Sequence, residues 1–195
     1  MEIGVSGGGN FAQIRCPLRI GVDPIPPSRK LVVPELRKAG VQYHKMTSDQ
    51  FFNSYPVRVK VDVCFIDGLH TAEQALRDFN NVRQHLSDKG IVVFHDCLPE
   101  NEKMQEVPRV VTQWTGDVWK AFYSIRQDFR LNILPQLRVP FVVNTDYGCG
   151  IVQDAVKLEH DVLLISPLSW PFFNRDRMGA MSPESFETFI NTINN

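Results

Sequence analysis

Short apolar runs alternate along the chain with stretches in which apolar positions recur every three or four residues. The first pattern suits buried strands and the second suits helices with one buried face. The alternation therefore predicts βα repeats around a mostly parallel sheet, an α/β fold. Strands are predicted at Glu2–Val5, Leu18–Val22, Val41–Lys45, Asp62–Ile66 and Gly90–Phe94, and Val139–Val143 and Gly150–Val152 can complete the sheet. The clearest helix follows the fourth strand. Thr71 is its expected cap, with Gln74 three residues on completing a capping box. Ala75, Leu76, Phe79, Val82 and Leu86 form its buried face before Lys89-Gly90 ends it.

A second helix is predicted at the end of the chain, with Ser182 and Pro183 at its start and Phe186, Phe189, Ile190 and Ile193 as an apolar stripe for core packing. Two stretches lack either period. Pro24 to Pro34 holds four prolines and reads as a loop over the sheet, and Cys97 to Thr115 is long for a connection. Both start at the carboxyl ends of predicted strands, where open α/β sheets bind ligands.

At 195 residues, 43% hydrophobic and 22% charged, the chain fits one globular domain spanning 1–195. Its net charge of −1, with no basic stripe, argues against nucleic acid as a bulk partner. No apolar run approaches the roughly 20 residues needed to cross a bilayer, so no membrane partner is expected. The N-terminus lacks the pattern of a signal peptide. Cys16, Cys64, Cys97 and Cys149 are widely spaced, which suggests reduced thiols in the cytoplasm, with Cys64 as a small core residue. Met1 is followed at once by a strand, so the chain is expected to begin inside the fold.

Candidate chemistry starts at Glu2-Ile3-Gly4-Val5-Ser6-Gly7-Gly8-Gly9-Asn10-Phe11, a strand, a glycine turn and a helix start. Such glycines let a ligand approach the backbone, and the new helix offers N–H groups to a carboxylate or phosphate. The second strand ends at Asp23, an acid placed to accept from both hydroxyls of an adenosine ribose. Gly7 to Ala12 also satisfies G-x-G-x-x-A, a dinucleotide pattern. Glu2 ahead of the glycines favours a ligand with an ammonium group, as in S-adenosylmethionine (SAM). The short chain and the early acid disfavour NAD(P), which stays the runner-up.

The fourth strand ends in Asp67-Gly68-Leu69-His70 and the fifth in His95-Asp96. Adjacent strands would bring Asp67, His95 and Asp96 together at one edge, a donor set that suits a divalent cation such as Mg2+. His95 reads more readily as a buried, hydrogen-bonded histidine. His70 is a candidate general base or a helix-capping residue. His44, His85 and His160 lack such a setting and read as surface or solvated residues.

Taken in order, the glycine loop, Gly21-Val22-Asp23-Pro24, Phe65-Ile66-Asp67-Gly68-Leu69-His70 and His95-Asp96-Cys97 resemble class I SAM-dependent methyltransferases. The similarity is to small bacterial domains related to catechol and macrolide-sugar O-methyltransferases, and it extends to about Pro99. It implies a Rossmann-like, seven-stranded, mostly parallel sheet with an antiparallel last hairpin and helices on both faces. It further implies that Gly4 and Gly8 line the methionine end of SAM, that Asp23 holds the ribose, and that the Thr47-Ser48-Asp49 segment contacts the adenine. Ser48 reads equally as a helix cap. Asp67 and Asp96 match metal-binding acids of metal-dependent relatives, and His70 falls where those enzymes place a basic residue. His95 stands where some relatives have a carboxylate. The N-terminal helices that cover SAM in relatives have no counterpart in this sequence.

The expected reaction is transfer of a methyl group from SAM to a hydroxyl of a small-molecule acceptor, with His70 taking the proton. Trp114, Trp119 and Phe122 are candidates for an apolar substrate wall. The rival readings are an NAD(P)-dependent oxidoreductase and a SAM-binding domain without activity.

Overall fold

The sheet is built around β1 (Glu2–Ile3), flanked by β2 (Arg19–Val22) and β4 (Val61–Ile66), with β3 (Val41–His44) and β5 (Leu86–Phe94) outside them. These five strands run parallel to one another. A hairpin of β6 (Phe141–Val143) and β7 (Cys149–Val152) follows, and β7 lies antiparallel to both β5 and β6. The last strand, β8 (Ala180–Met181), pairs parallel with β6, so the order is β3-β2-β1-β4-β5-β7-β6-β8. The computed structural model describes residues 1–27, 34–54, 60–131 and 138–193.

Among the described residues five α-helices complete the fold: α1 (Gly9–Gln13), α2 (Ser48–Ser54), α3 (Ala72–Arg83), α4 (Val118–Leu131) and α5 (Pro183–Ile193). Among the described residues no helix is long and apolar enough to cross a membrane. Successive strand residues face opposite ways, and β2 shows what covers each side. Ile20 and Val22 pack with Phe51 of α2, whereas a Cβ at Gly21 would meet the ring of Phe11 of α1 at 3.0 Å. At β4, Cys64 and Ile66 are buried with Phe79, Val82, Phe122 and Ile125 of α3 and α4. Each large apolar side chain buried there contributes roughly 1.5–3 kcal/mol. On the opposite face Val63 is 51% exposed and Phe65 only half-buried.

Three expectations are corrected. The sheet has eight strands, because the two-residue β8 is too short to leave a period in the sequence. Leu86 belongs to β5, where it pairs with Val61, and not to the helix. Its spacing matched a helical face because α3 runs into β5 with only Gln84 and His85 between them. His85 itself is buried rather than solvated.

Thr71 caps α3 as expected, its hydroxyl accepting from the Gln74 N–H at 3.4 Å. The reciprocal half of the box is not formed, since the Gln74 amide donates to Ser48, Asp49 and Asp78. A full box stands at α2, where the Thr47 hydroxyl accepts from the Gln50 N–H and the Gln50 side chain accepts from the Thr47 N–H. Thr47, not Ser48, therefore caps that helix. Ser182 caps α5, accepting from the Ser185 N–H at 3.2 Å. The side chains of Phe189, Ile190 and Ile193 lie outside the described residues, as do residues 28–33 of the proline-rich loop.

Candidate active site

A cavity of about 750 Å3 opens at the carboxyl ends of β1, β2, β4 and β5. Its position follows from the parallel strands, whose helix-entering turns all emerge at this edge. Gly4, Asp23, Ser48, Asp67, His70, His95 and Asp96 line it together. Glu2, Gly7 and Gly8 do not. Glu2 is buried at 3% exposure and accepts from the Asn10 amide at 3.2 Å, and Gly8 sits at the N-cap of α1.

Gly4 has φ +83, and a Cβ there would lie 1.9 Å from the Asp67 carbonyl oxygen. The residue is glycine because β1 and β4 converge at that point, which brings the ends of the two strands to one wall. Asp23 ends β2 and is buried. Its Oδ2 accepts from the Ser6 N–H at 2.8 Å and its Oδ1 from the Ile25 N–H at 2.7 Å. Each oxygen retains a lone pair for a ligand hydroxyl.

Ser48, Gln74 and Asp78 form a polar patch on the α2–α3 side of the cavity. Burial pushes the Asp78 carboxyl up to about 6, against hydrogen bonds from Ser48 and Gln74 that act to lower it. Asp78 went unnoticed in the sequence, because an acid inside an amphipathic helix reads as solvated.

Across the cavity, four side chains from the two strand ends meet. His70 Nε2 lies 3.3 Å from Asp67 Oδ1, and His70 Nδ1 lies 3.1 Å from Asp96 Oδ2. His95 Nδ1 stands 3.4 Å from the same Asp67 oxygen and 3.3 Å from the same Asp96 oxygen. Burial lowers the affinity of both imidazoles for a proton, but the carboxylates of Asp67 and Asp96 outweigh it. His70 is held above its ordinary value and His95 at about 11. Burial pushes Asp67 up, yet the two histidines leave it below the usual carboxylate range.

Asp67, His95 and Asp96 offer ligand atoms that all lie within 4.8 Å of one another. His95 Nδ1 is buried and has no hydrogen-bond partner among the described residues, despite the two nearby carboxylates. An unbonded imidazole nitrogen aimed among carboxylate oxygens fits a cation site.

Trp114 closes the cavity over His70, stacked on its ring at 5.2 Å, and Gly116 fits against the His70 backbone, where a Cβ would be 1.7 Å from the carbonyl oxygen. Asp117 accepts from the Ala72 N–H at 2.7 Å, which ties the start of α4 to the start of α3. Of the proposed substrate wall, only Trp114 lines the cavity; Trp119 and Phe122 are fully buried core residues. Their place on the inner face of α4 became visible only with that helix. Asp146 and Tyr147, from the β6–β7 turn, also line the site and carry no local sequence signal.

Residues 1–97 match the family model of a methyltransferase domain. None of the curated proteins matches. Among solved structures, the crystal structure of N-methyltransferase NodS from Bradyrhizobium japonicum WM9 is similar at 15% identity, over 78% of this chain and 82% of that one, with a TM-score of 0.43. The family match spans β1 to β5 and every residue of the His70 cluster, and it implies SAM as methyl donor. Residues 1–97 thus match a methyltransferase domain, in line with the resemblance to class I SAM-dependent methyltransferases read from the same stretch of sequence.

Proposed function

We propose that this methyltransferase transfers a methyl group to a hydroxyl oxygen of a small-molecule acceptor. The observation that carries the reading is that one cavity holds Asp23 on one side and the His70, Asp67, His95 and Asp96 cluster on the other. An amine acceptor that is already unprotonated needs no base, whereas a hydroxyl gains from one. His70 also stacks on Trp114, which lines the same cavity.

Asp23 holds the ribose through its remaining lone pairs. Ser48 and the patch around it take the adenine side, and Gly4 gives the backbone room at the donor's amino-acid end. SAM supplies the activated methyl group. Asp67, His95 and Asp96 would hold a divalent cation, which would supply Lewis-acid stabilisation of an acceptor hydroxyl's conjugate base. His70 takes the proton from that hydroxyl at Nε2, and Trp114 keeps the imidazole in place and water away. Most of the rate gain comes from alignment of the acceptor oxygen along the axis of transfer.

The absence of a basic stripe supports a small acceptor rather than a nucleic acid. The four free cysteines support a reducing compartment, the cytoplasm. Titration of the purified chain with S-adenosylhomocysteine, SAM and NAD, followed by a labelled-methyl screen of phenols, sugars and amines, tests the reading. Transfer to hydroxyls that is lost in His70→Ala supports it. Transfer to amines alone, unaffected by His70→Ala, overturns the hydroxyl assignment, and binding of NAD alone overturns the donor.

A further inference from the structure

Resting on the reading of Asp67, His95 and Asp96 as a cation site, we infer that this site selects a first-row transition ion of the Mn2+ to Zn2+ series over Mg2+. His95 Nδ1 serves as one ligand, and Asp146 sets the tautomer that frees it.

The donor set itself points this way. Mg2+ demands oxygen ligands and retains several waters, whereas imidazole nitrogen suits Zn2+, Fe2+ and their neighbours. His95 Nδ1 is buried and forms no hydrogen bond among the described residues, though carboxylate oxygens stand 3.4 Å and 3.3 Å away. Nδ1 and the two carboxylate oxygens thus face one point, where a cation would take the place of the ring proton. The other nitrogen, Nε2, faces Asp146 Oδ2 at 3.2 Å. A carboxylate on that side would keep the ring's other proton on Nε2 when a cation takes Nδ1, the usual arrangement behind a metal-binding histidine.

Asp146 is fixed in this position by the segment that fixes Asp96. The β6–β7 turn places Asp146 at φ 43 and Tyr147 at φ 59. The Leu98 N–H donates to the Tyr147 carbonyl at 2.6 Å and the Cys97 N–H to the Gly148 carbonyl at 3.0 Å. The two residues that follow Asp96 thus bind the two that follow Asp146, so the ligand and its orienting partner move as one unit. Nδ1 of His70 is engaged by the Trp114 carbonyl and by Asp96, and the ligand atoms that converge are those of Asp67, His95 and Asp96.

The test is calorimetric titration of the full chain with Mg2+, Mn2+, Co2+ and Zn2+, each alone, together with the visible absorption of the Co2+-loaded protein. Co2+ and Zn2+ are expected to bind at least about tenfold tighter than Mg2+, and Asp96→Asn to abolish the Co2+ bands. His95→Asp should narrow the Co2+ to Mg2+ ratio. Asp146→Asn, at a side chain 73% exposed and so harmless to folding, should weaken Co2+ about tenfold and leave Mg2+ unchanged. Mg2+ binding as tight as Co2+ and lost in Asp96→Asn overturns the selectivity while leaving the cation site in place. An Asp146→Asn protein with unchanged Co2+ affinity overturns the role of Asp146. Failure of every ion to bind, with S-adenosylhomocysteine present or absent, overturns the cation site itself.

Discussion

The carbonyl oxygen of Trp114 lies 3.1 Å from Nδ1 of His70, and the two rings stack with only 16° between their planes. One residue thus contacts the imidazole both at its nitrogen and across its face, from the long connection between β5 and α4, which holds one short 3-10 turn at Glu102–Gln105. The Trp114 indole is itself held, its N–H donating to the Glu106 carbonyl at 2.6 Å and the Arg109 guanidinium lying 5.9 Å from its ring.

Trp114→Ala keeps the carbonyl but removes the stack, so the His70 ring regains rotational freedom. The expected result is a fall in kcat of about tenfold, on the scale of misplacing one catalytic group. Trp114→Phe should restore most of it. The unfolding midpoint should move little, since Trp114 is only half-buried. An unchanged kcat in Trp114→Ala would mean that Asp67 and Asp96 alone position the ring.

The strand ends were legible because each apolar run stops at a polar residue, as Ile66 does at Asp67 and Phe94 at His95. Pairing of β4 with β5 then brings those ends together. What stayed hidden depends on contacts distant in sequence. Asp146 is about 50 residues beyond His95 and reaches it only because the β6–β7 turn bonds to Cys97 and Leu98. Glu2, which its place before the glycines offers as a ligand contact, is buried and accepts from Asn10, a partner eight residues on that no motif announces. Leu86 kept the helical spacing while belonging to the next strand, a case in which tertiary pairing overrides a local period.

Asp23 joins the Ser6 loop to the start of the proline-rich segment through two backbone N–H groups. Asp23→Ala is expected to leave both donors without an acceptor and to cost about 1–3 kcal/mol of stability. It should also weaken S-adenosylhomocysteine by at least about tenfold, through loss of the charged acceptor for the ribose. Asp23→Asn should recover much of the stability and less of the affinity. Calorimetry alongside urea denaturation separates the two effects, and an Asp23→Ala protein that binds with wild-type affinity would remove Asp23 from the ribose site.

Gly4→Ala tests whether the convergence of β1 and β4 is obligatory. The new methyl would lie 1.9 Å from a backbone oxygen at a residue with φ +83, and neither backbone can yield without moving Asp67. Destabilisation on the order of 3 kcal/mol or more is expected. A urea midpoint within error of wild type would show that the two strand ends can separate at little cost.

Glu2 gives the protein a pH dependence of stability with a definite sign. Burial pushes its carboxyl up to about 7 from an ordinary value of 4.5, against a lowering hydrogen bond from Asn10. Between those two values the folded state holds a proton that the unfolded state has lost. The contribution of Glu2 is therefore fully present below pH 4.5 and declines as pH rises toward 7. The interval corresponds to about 3 kcal/mol. Asp78, raised from 3.8 to about 6, adds a decline of the same sign at lower pH. Glu2→Gln keeps an acceptor for Asn10 and removes the titration. Its stability, measured by urea denaturation from pH 5 to pH 8, should fall less steeply than that of wild type and exceed it at pH 8. A variant whose curve runs parallel to wild type would show that Glu2 stays ionised in the folded protein, with Asn10 and the N-terminal ammonium offsetting its burial.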